Sequence, residues 1–242
     1  MHAEWVLVNA GVVDKDSPIP RKFLLRPEQV EVVDTWHVDG MAATGSQDIV
    51  VRDAFVPERY VSLPLGSAGD GEVAYLSRIP VLPFLALTAG IPALGAARRA
   101  VTLFRELVGK RVRFGTHRVQ AQNVASQIRL ANAYTRVRAA ESAMRECARA
   151  VESQARGDIS PSEVEQIQCR LAIGRVVHEC LGAVRDIMDA AGSSVHFDGQ
   201  ELGRIHRDVQ MMSTHTIFDL ELASQQCGKA MLEVEGDLFS FR

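Results

Sequence analysis

The stretch "IHRDVQMMSTHTIFDLE" (residues 205–221) combines helical periodicity with titratable side chains. At 3.6 residues per turn, Arg204, Asp208, Met211, Met212, His215 and Asp219 fall along one broad face. An imidazole there, with a carboxylate at i+4 to fix its tautomer, is a proton carrier suited to neutral pH. The plainer reading is a histidine packed between helices and hydrogen-bonded to Asp219 or a backbone carbonyl. A second cluster, "KRVRFG" (residues 110–115), offers Arg111 as a planar, permanently charged donor suited to phosphate. Its plainer reading is a solvated basic connection. "ATGS" places Gly45 and Ser46 where backbone amides could face an anion, although no strand–turn–helix context surrounds them.

The elements that must hold these residues divide the chain. Residues 1–63 read as strands, with runs at "EWVLVNAGVV", "EQVEVVDTWHV" and "SQDIVVRDAFV" separated by the turn-forming "DKDSPIP" and "VDGMAATGS". Residues 72–242 read as four amphipathic helices. The first spans about 72–110, interrupted at its prolines, and is regular from Pro92. The second spans 117–155 and is about 60 Å long at 1.5 Å per residue. The third follows Ser160 as N-cap and ends at Gly192. The fourth runs from about 201 to 235. The expected fold is mostly α: an up-and-down four-helix bundle preceded by a partial antiparallel β-domain. So long a second helix, and so short a sheet, imply an oligomer, with another chain or segment completing the sheet.

The 242 residues carry a net charge of -3, without the basic stripe that nucleic acid requires. The four cysteines (Cys147, Cys169, Cys180 and Cys227) form no CxxC pair, so no metal site is expected and reduced, buried thiols are. The N-terminus lacks the layout of a secretory signal, and "IPVLPFLALTAGIPALGAA" is broken by Pro80, Pro83 and Pro92, so no membrane span is expected. A cytoplasmic location follows as an expectation.

Three pieces in order carry a family resemblance. "DTWHVDGMAATGSQDIVVRDAFVPERYV" (34–61) resembles the end of the β-domain in the acyl-CoA dehydrogenase fold. Its "TW..DGM..TGS.D" wording is similar to the two-component flavin-dependent monooxygenases. "KRVRFGTHRVQAQ" (110–122) resembles the family's Arg-x-Gln-Phe-Gly signature, and "AAGSSVHFDGQELGRIHRDVQMMSTHTIFD" (190–219) resembles its last helix pair. The resemblance implies a tetramer of subunits with an N-terminal helical domain, a middle β-domain and a C-terminal four-helix bundle, of which this sequence matches only the later part.

By that resemblance Arg111 and Phe114 contact the flavin (FAD or FMN) of a neighbouring subunit, Arg113 replaces the family glutamine, and Gly45 and Ser46 are candidates to face the flavin pocket. In many dehydrogenases of the family a catalytic glutamate lies about two turns beyond the Arg207-Asp208 step. Here Thr214, His215 and Thr216 occupy that place, and Glu72 and Glu106 are the carboxylates near the first helix. A histidine there is what the monooxygenase branch shows, so His215 is the catalytic candidate and Asp219 its orienting partner. Arg204, Arg207 and Asp208 read as ion-pairing residues, His196 and Asp198 as loop residues, and Trp36 as sheet core.

Three functions follow as expectations. The first is a flavin-dependent monooxygenase subunit or fragment fed by a separate flavin reductase and acting on a small organic substrate. The second is an acyl-CoA dehydrogenase-like FAD protein. The third is a non-catalytic bundle that needs a longer homologous subunit.

Overall fold

The computed structural model describes residues 3–14, 17–62, 79–112 and 115–234. The chain divides into two compact units, one comprising Met1–Val38 and Ala42–Val73, the other Asp39–Met41 and Ala74–Arg242.

The first unit is built on two separate two-stranded antiparallel sheets, β1 (Val6–Asp14) with β2 (Ser17–Leu25), and β3 (Glu31–Val33) with β4 (Asp48–Val50). The short β3 and β4 fall within the expected runs, and β1 overruns its own by one residue, to Asp14. β2 falls in none of them, since "DKDSPIP" was read as a turn and instead leads into a nine-residue strand in register from Val6↔Leu25 to Asp14↔Ser17. Pro18 and Pro20 concealed it, because a proline cannot donate to a ladder. The structure shows why they are tolerated. The amide of Lys22, of the same parity, points away from β1 and donates to Ser62 Oγ at 3.0 Å, so β1 asks for no donor from Pro20 or Pro18. Near the N-terminal end, Trp5 stacks against Tyr60, with centroids 5.2 Å apart, and carries the Arg26 guanidinium 3.7 Å above its ring.

Among its described residues the second unit has five α-helices where four were expected: α1 (Val81–Lys110), α2 (Val124–Arg156), α3 (Glu163–Ala191), α4 (Glu201–Ser213) and α5 (Leu220–Met231). α3 lies at the centre, against α1, α2, α4 and α5. Its face of Ile173, Val177, Cys180, Val184 and Ile187 is fully buried and meets Phe104 of α1 and Val209 of α4 in one apolar core. A side chain of this size buried from water contributes about 1.5–3 kcal/mol, so this face is a leading source of the unit's stability.

Several helix limits correct the sequence reading. α1 runs continuously through Pro92. Pro92 and Thr88, whose carbonyl lost its donor, are both exposed, so the gap in the ladder lies on the solvent side of the helix and not in the core. The prolines therefore do not cut the apolar stretch, and α1 is long and apolar enough, by length and composition alone, to cross a membrane. Ala86, Ala93, Ala97, Ala100 and Phe104 nevertheless put its inner face in the core. α2 begins at Val124 and not at 117, since a 3₁₀ turn at Gln120–Gln122 intervenes and the Asn123 side chain caps the helix from Ala125 N at 2.9 Å. The α3 N-cap is Ser162, two residues beyond Ser160, and Glu165 closes a capping box on it. The single fourth helix is not formed. Ser213 ends α4, a 3₁₀ turn occupies Thr216–Phe218, and α5 starts anew.

Ion pairs pin the helices to one another. Arg99 of α1 binds Glu201 of α4 through two hydrogen bonds of 2.8 and 2.9 Å. Arg136 of α2 bridges Glu179 (3.0 Å) and Asp186 (2.8 Å) of α3, lying over Gly182, where a Cβ would meet its Nη2 at 2.7 Å.

Candidate functional site

The residues singled out from the sequence occupy three places in the helical unit and one in the sheet unit. The first place is the end of α3. Arg111, just past α1, is half-buried, and its Nη1 donates a short hydrogen bond to the Ala191 carbonyl, the last of α3. Positive charge at a helix C-terminus is favoured, since the last carbonyls have no helical partner. Gly192 follows with φ of +78°, and a Cβ there would stand 2.9 Å from Arg111 Nη1. The bareness of Gly192 is what admits the guanidinium. Gln120 reinforces the corner by donating from Nε2 to the Ala190 carbonyl at 3.1 Å, while its backbone N–H donates to the Arg111 carbonyl at 2.7 Å. Phe114 and Arg113 lie outside the described residues.

A phosphate fits this donor set. The guanidinium carries five N–H donors in a planar fork, one of them bonded to Ala191, and it keeps partial exposure beside a residue with no side chain. Gln120 and Gly192 were not singled out as site residues. Gly192 was legible only as a helix stop, and Gln120 gave no signal in the sequence.

The second place is the break between α4 and α5. His215 and Asp219 were expected on one helical face, the carboxylate orienting the ring. The break overturns that geometry, because each residue caps its own element. His215 Nδ1 accepts from the Ile217 N–H at 3.2 Å at the head of the 3₁₀ turn. Asp219 Oδ1 accepts from the Leu222 N–H at 3.0 Å at the head of α5. Both are exposed. The hydrogen bond at Nδ1 still fixes the tautomer: the neutral ring carries its proton on Nε2, where His215 is a donor. α3 supports the break from beneath. His178 Nε2–H donates to the Phe218 carbonyl at 3.1 Å, and a Cβ on Gly174 would meet Leu220 at 3.2 Å. Neither residue was anticipated, because both lie on a helix far from the break in sequence.

The third place is the segment Asp39–Met41, which belongs with the helices. Arg207 Nε donates to the Asp39 carbonyl at 2.9 Å, and the Met41 N–H donates to Asp208 Oδ1 at 2.6 Å. Gly40 is buried between them, and a Cβ there would meet the Arg207 backbone oxygen at 2.4 Å. Arg207 and Asp208, expected to form ion pairs, bind backbone here instead. A half-buried histidine, His206, precedes them; burial pushes its pKa below the ordinary value, and Arg185, His196 and Arg207 add to the effect against the opposing Asp189.

Gly45 and Ser46 lie in the sheet unit. Gly45 has φ of +55°, and nothing stands within 4 Å of where its Cβ would be; Ser46 Oγ lies 3.1 Å from Thr44 Oγ1. Both form a turn ahead of Gln47, whose Oε1 accepts from the Thr35 and Trp36 amides at 2.7 and 2.8 Å. Trp36 is half-buried. Of the remaining candidates, Glu106 lies on α1, and Glu72 is outside the described residues. His196 ends a 3₁₀ turn and Asp198 is exposed just after it.

Comparison with known proteins gives this architecture a family. Residues 87–220, more than half of the chain, match the family described as acyl-CoA dehydrogenase, C-terminal domain, and the chain belongs to it. It is 28% identical over 242 residues to a pigment production hydroxylase of Rhodococcus sp. (strain ATCC 21145), covering 97% of this chain and 62% of the relative. It is 30% identical over 251 residues to the FADH(2)-dependent resorcinol hydroxylase, oxygenase component, of Rhizobium sp. (strain MTP-10005), covering 97% and 61%. Among solved structures, XiaF from Streptomyces sp. in complex with FADH2 and glycerol superposes with a TM-score of 0.86 at 25% identity, covering 97% of this chain and 61% of that one. The chain thus spans about three-fifths of the length of these relatives.

Proposed function

We propose that this chain is part of the oxygenase component of a two-component flavin-dependent monooxygenase, which hydroxylates a small, aromatic or polycyclic substrate with reduced flavin and dioxygen. The observation that carries the reading is its end-to-end similarity to proteins named as hydroxylases and to one solved with FADH2. The site is consistent with it. No carboxylate stands at Thr214, His215 or Thr216 to take an α-proton, while a histidine with a defined tautomer does stand there.

When bound, reduced flavin supplies the electrons that activate dioxygen, one oxygen atom going to the substrate and the other to water. The chain's own residues have narrower tasks. Arg111, with Phe114 beside it in sequence, binds the flavin phosphate, and Gly192 leaves room for the guanidinium. His215 holds a proton on Nε2 and donates it as a hydrogen bond to an oxygen at the reaction centre. Asp219 and His178 hold the break that presents His215. Gly45 and Ser46 supply backbone and hydroxyl groups to the flavin. A flavin reductase delivers the cofactor, and the chain works as a dimer or tetramer whose helical units lie together, in the cytoplasm. FAD and FMN are both candidates.

The test is a titration of the purified chain with reduced FAD and reduced FMN under nitrogen. Saturable binding that weakens at least tenfold in Arg111→Ala, followed by substrate-dependent oxygen uptake that is lost in His215→Ala, is the expected result. Formation of an enoyl thioester from an acyl-CoA would replace this reading with that of a dehydrogenase.

A further inference from the structure

A cleft of about 650 Å³ lies between α1 and α2, and every residue lining it belongs to one of these two helices. It stays open because Thr102 and Ala131, both exposed, put short side chains where longer ones would close it. Val101, Leu130 and Val137 make an apolar floor: Val137 is buried, and the other two pack against the core. Tyr134 stands exposed at the edge. The volume falls in the range of about 300–1,000 Å³ that small-molecule sites occupy.

The rim is cationic. Arg98 and Arg105 come from α1 and Arg138 from α2, against one lining carboxylate, that of Glu141, among the described residues. The Glu141 side chain is 8% exposed and is bound by Arg145 at 2.7 Å and Arg138 at 3.0 Å, with Arg98 at 3.6 Å. A carboxylate so buried needs such partners. It also anchors Arg98 and Arg138, whose side chains are otherwise largely in water, so that a ligand has less side-chain motion to arrest. Arg105 is placed differently. It is exposed, and among the described residues it makes neither a hydrogen bond nor an ion pair, which leaves its five N–H donors to water.

We propose that this cleft binds a small organic carboxylate with an apolar body. The carboxylate accepts hydrogen bonds from Arg105 and Arg138, on opposite walls, and the body covers Val101, Leu130 and Val137. A guanidinium fork matches a carboxylate in plane and in charge. An inorganic anion would leave the apolar floor to water, and a neutral apolar molecule would leave Arg105 unanswered. A second copy of the chain, set symmetrically against the cleft, would bring arginines onto arginines. Neither Arg111 nor His215 lines the cleft, so the proposal does not depend on the flavin reading.

The full chain is titrated calorimetrically with 2-naphthoate at neutral pH and low salt, and in parallel with 2-naphthamide, which keeps the rings without the charge, and with acetate, which keeps the charge without the rings. The expected result is saturable binding of one naphthoate per chain that weakens as salt is added. Naphthamide and acetate should each bind at least about tenfold more weakly, and Arg105→Gln should weaken naphthoate by a similar factor, the worth of one charge-assisted hydrogen bond. Arg105→Gln should leave Tm unchanged, since the side chain has no partner to lose. Ala131→Trp, at an exposed position inside the cleft, should abolish binding. Equal binding of naphthamide, parent affinity in Arg105→Gln or Ala131→Trp, or no saturable binding of naphthoate overturns the proposal. Loss of self-association in Ala131→Trp, measured by sedimentation, together with no naphthoate bound by the parent chain, would assign the cleft to a second copy instead.

Discussion

Arg111 occupies the space that a side chain at position 192 would need: a Cβ on Gly192 would lie 2.9 Å from its Nη1 and 3.2 Å from its Nη2. The bond from Arg111 to the Ala191 carbonyl joins the end of α1 to the end of α3 across 80 residues of sequence. A glycine that reads in the sequence as a helix stop therefore also sets where the charged group can lie.

Gly192→Ala must adopt φ of +78° and push the guanidinium aside. The expected cost is about 1–3 kcal/mol, read from urea unfolding midpoints, since strain of this kind persists only where its surroundings impose it. Flavin affinity should fall with it, and a variant of unchanged affinity would separate Arg111 from the cofactor.

Gly40→Ala is expected to be worse tolerated than its sequence context suggests. Its Cβ would meet backbone, the Arg207 carbonyl oxygen at 2.4 Å, and backbone cannot rotate away as a side chain can. A loss of about 1–3 kcal/mol in denaturant unfolding is expected. Asp208→Ala, which removes the acceptor of the 2.6 Å bond from Met41 N–H, should cost about 1.5–3 kcal/mol.

His215 holds a structural bond and, by proposal, a chemical one, and two substitutions separate them. His215→Asn keeps a side-chain acceptor for the Ile217 amide and should change stability by less than about 0.5 kcal/mol, while hydroxylation is lost. His215→Ala loses both, with about 1 kcal/mol of destabilisation. Hydroxylation at the unsubstituted rate in His215→Asn would remove the residue from the reaction.

The pKa of His206 is below its ordinary value in the fold, so between that depressed value and about 6.5 the unfolded chain binds more protons than the folded one. Stability should rise with pH across that window and level off above it. Unfolding free energies measured from pH 5 to pH 7.5 should show this slope, and His206→Gln should flatten it.

Much of the helical unit was legible in the sequence because its cores are periodic and its stops are strong. α3 ends at Gly192 as read, and its apolar face follows the 3.6-residue spacing. The break after Ser213 was hidden because apolar residues recur through it. The phase nevertheless slips, with Met212 followed in the core by Ile217 and Phe218. Thr214, Thr216 and Asp219 favour caps and turns over helix interiors, a signal outweighed by the surrounding periodicity. The site was legible only as residue types. His215 stood out as a titratable group in a family position, but the partner of its Nδ1 is a local amide and not Asp219. Arg111 was legible as a charged, planar donor of the kind that suits phosphate. Its bond to Ala191 was not, because it depends on how α1 and α3 pack.

The prolines of β2 have a consequence beyond strand recognition. An uncapped strand edge is a template on which another extended chain can grow, and such growth leads to insoluble assemblies. On the edge of β2 facing away from β1, positions 18 and 20 have no amide hydrogen to offer, while Lys22, the next donor along, is held by Ser62. A newly made chain can therefore form this hairpin with one side closed to pairing by its own chemistry, a safeguard that substituting Pro20 with threonine would weaken.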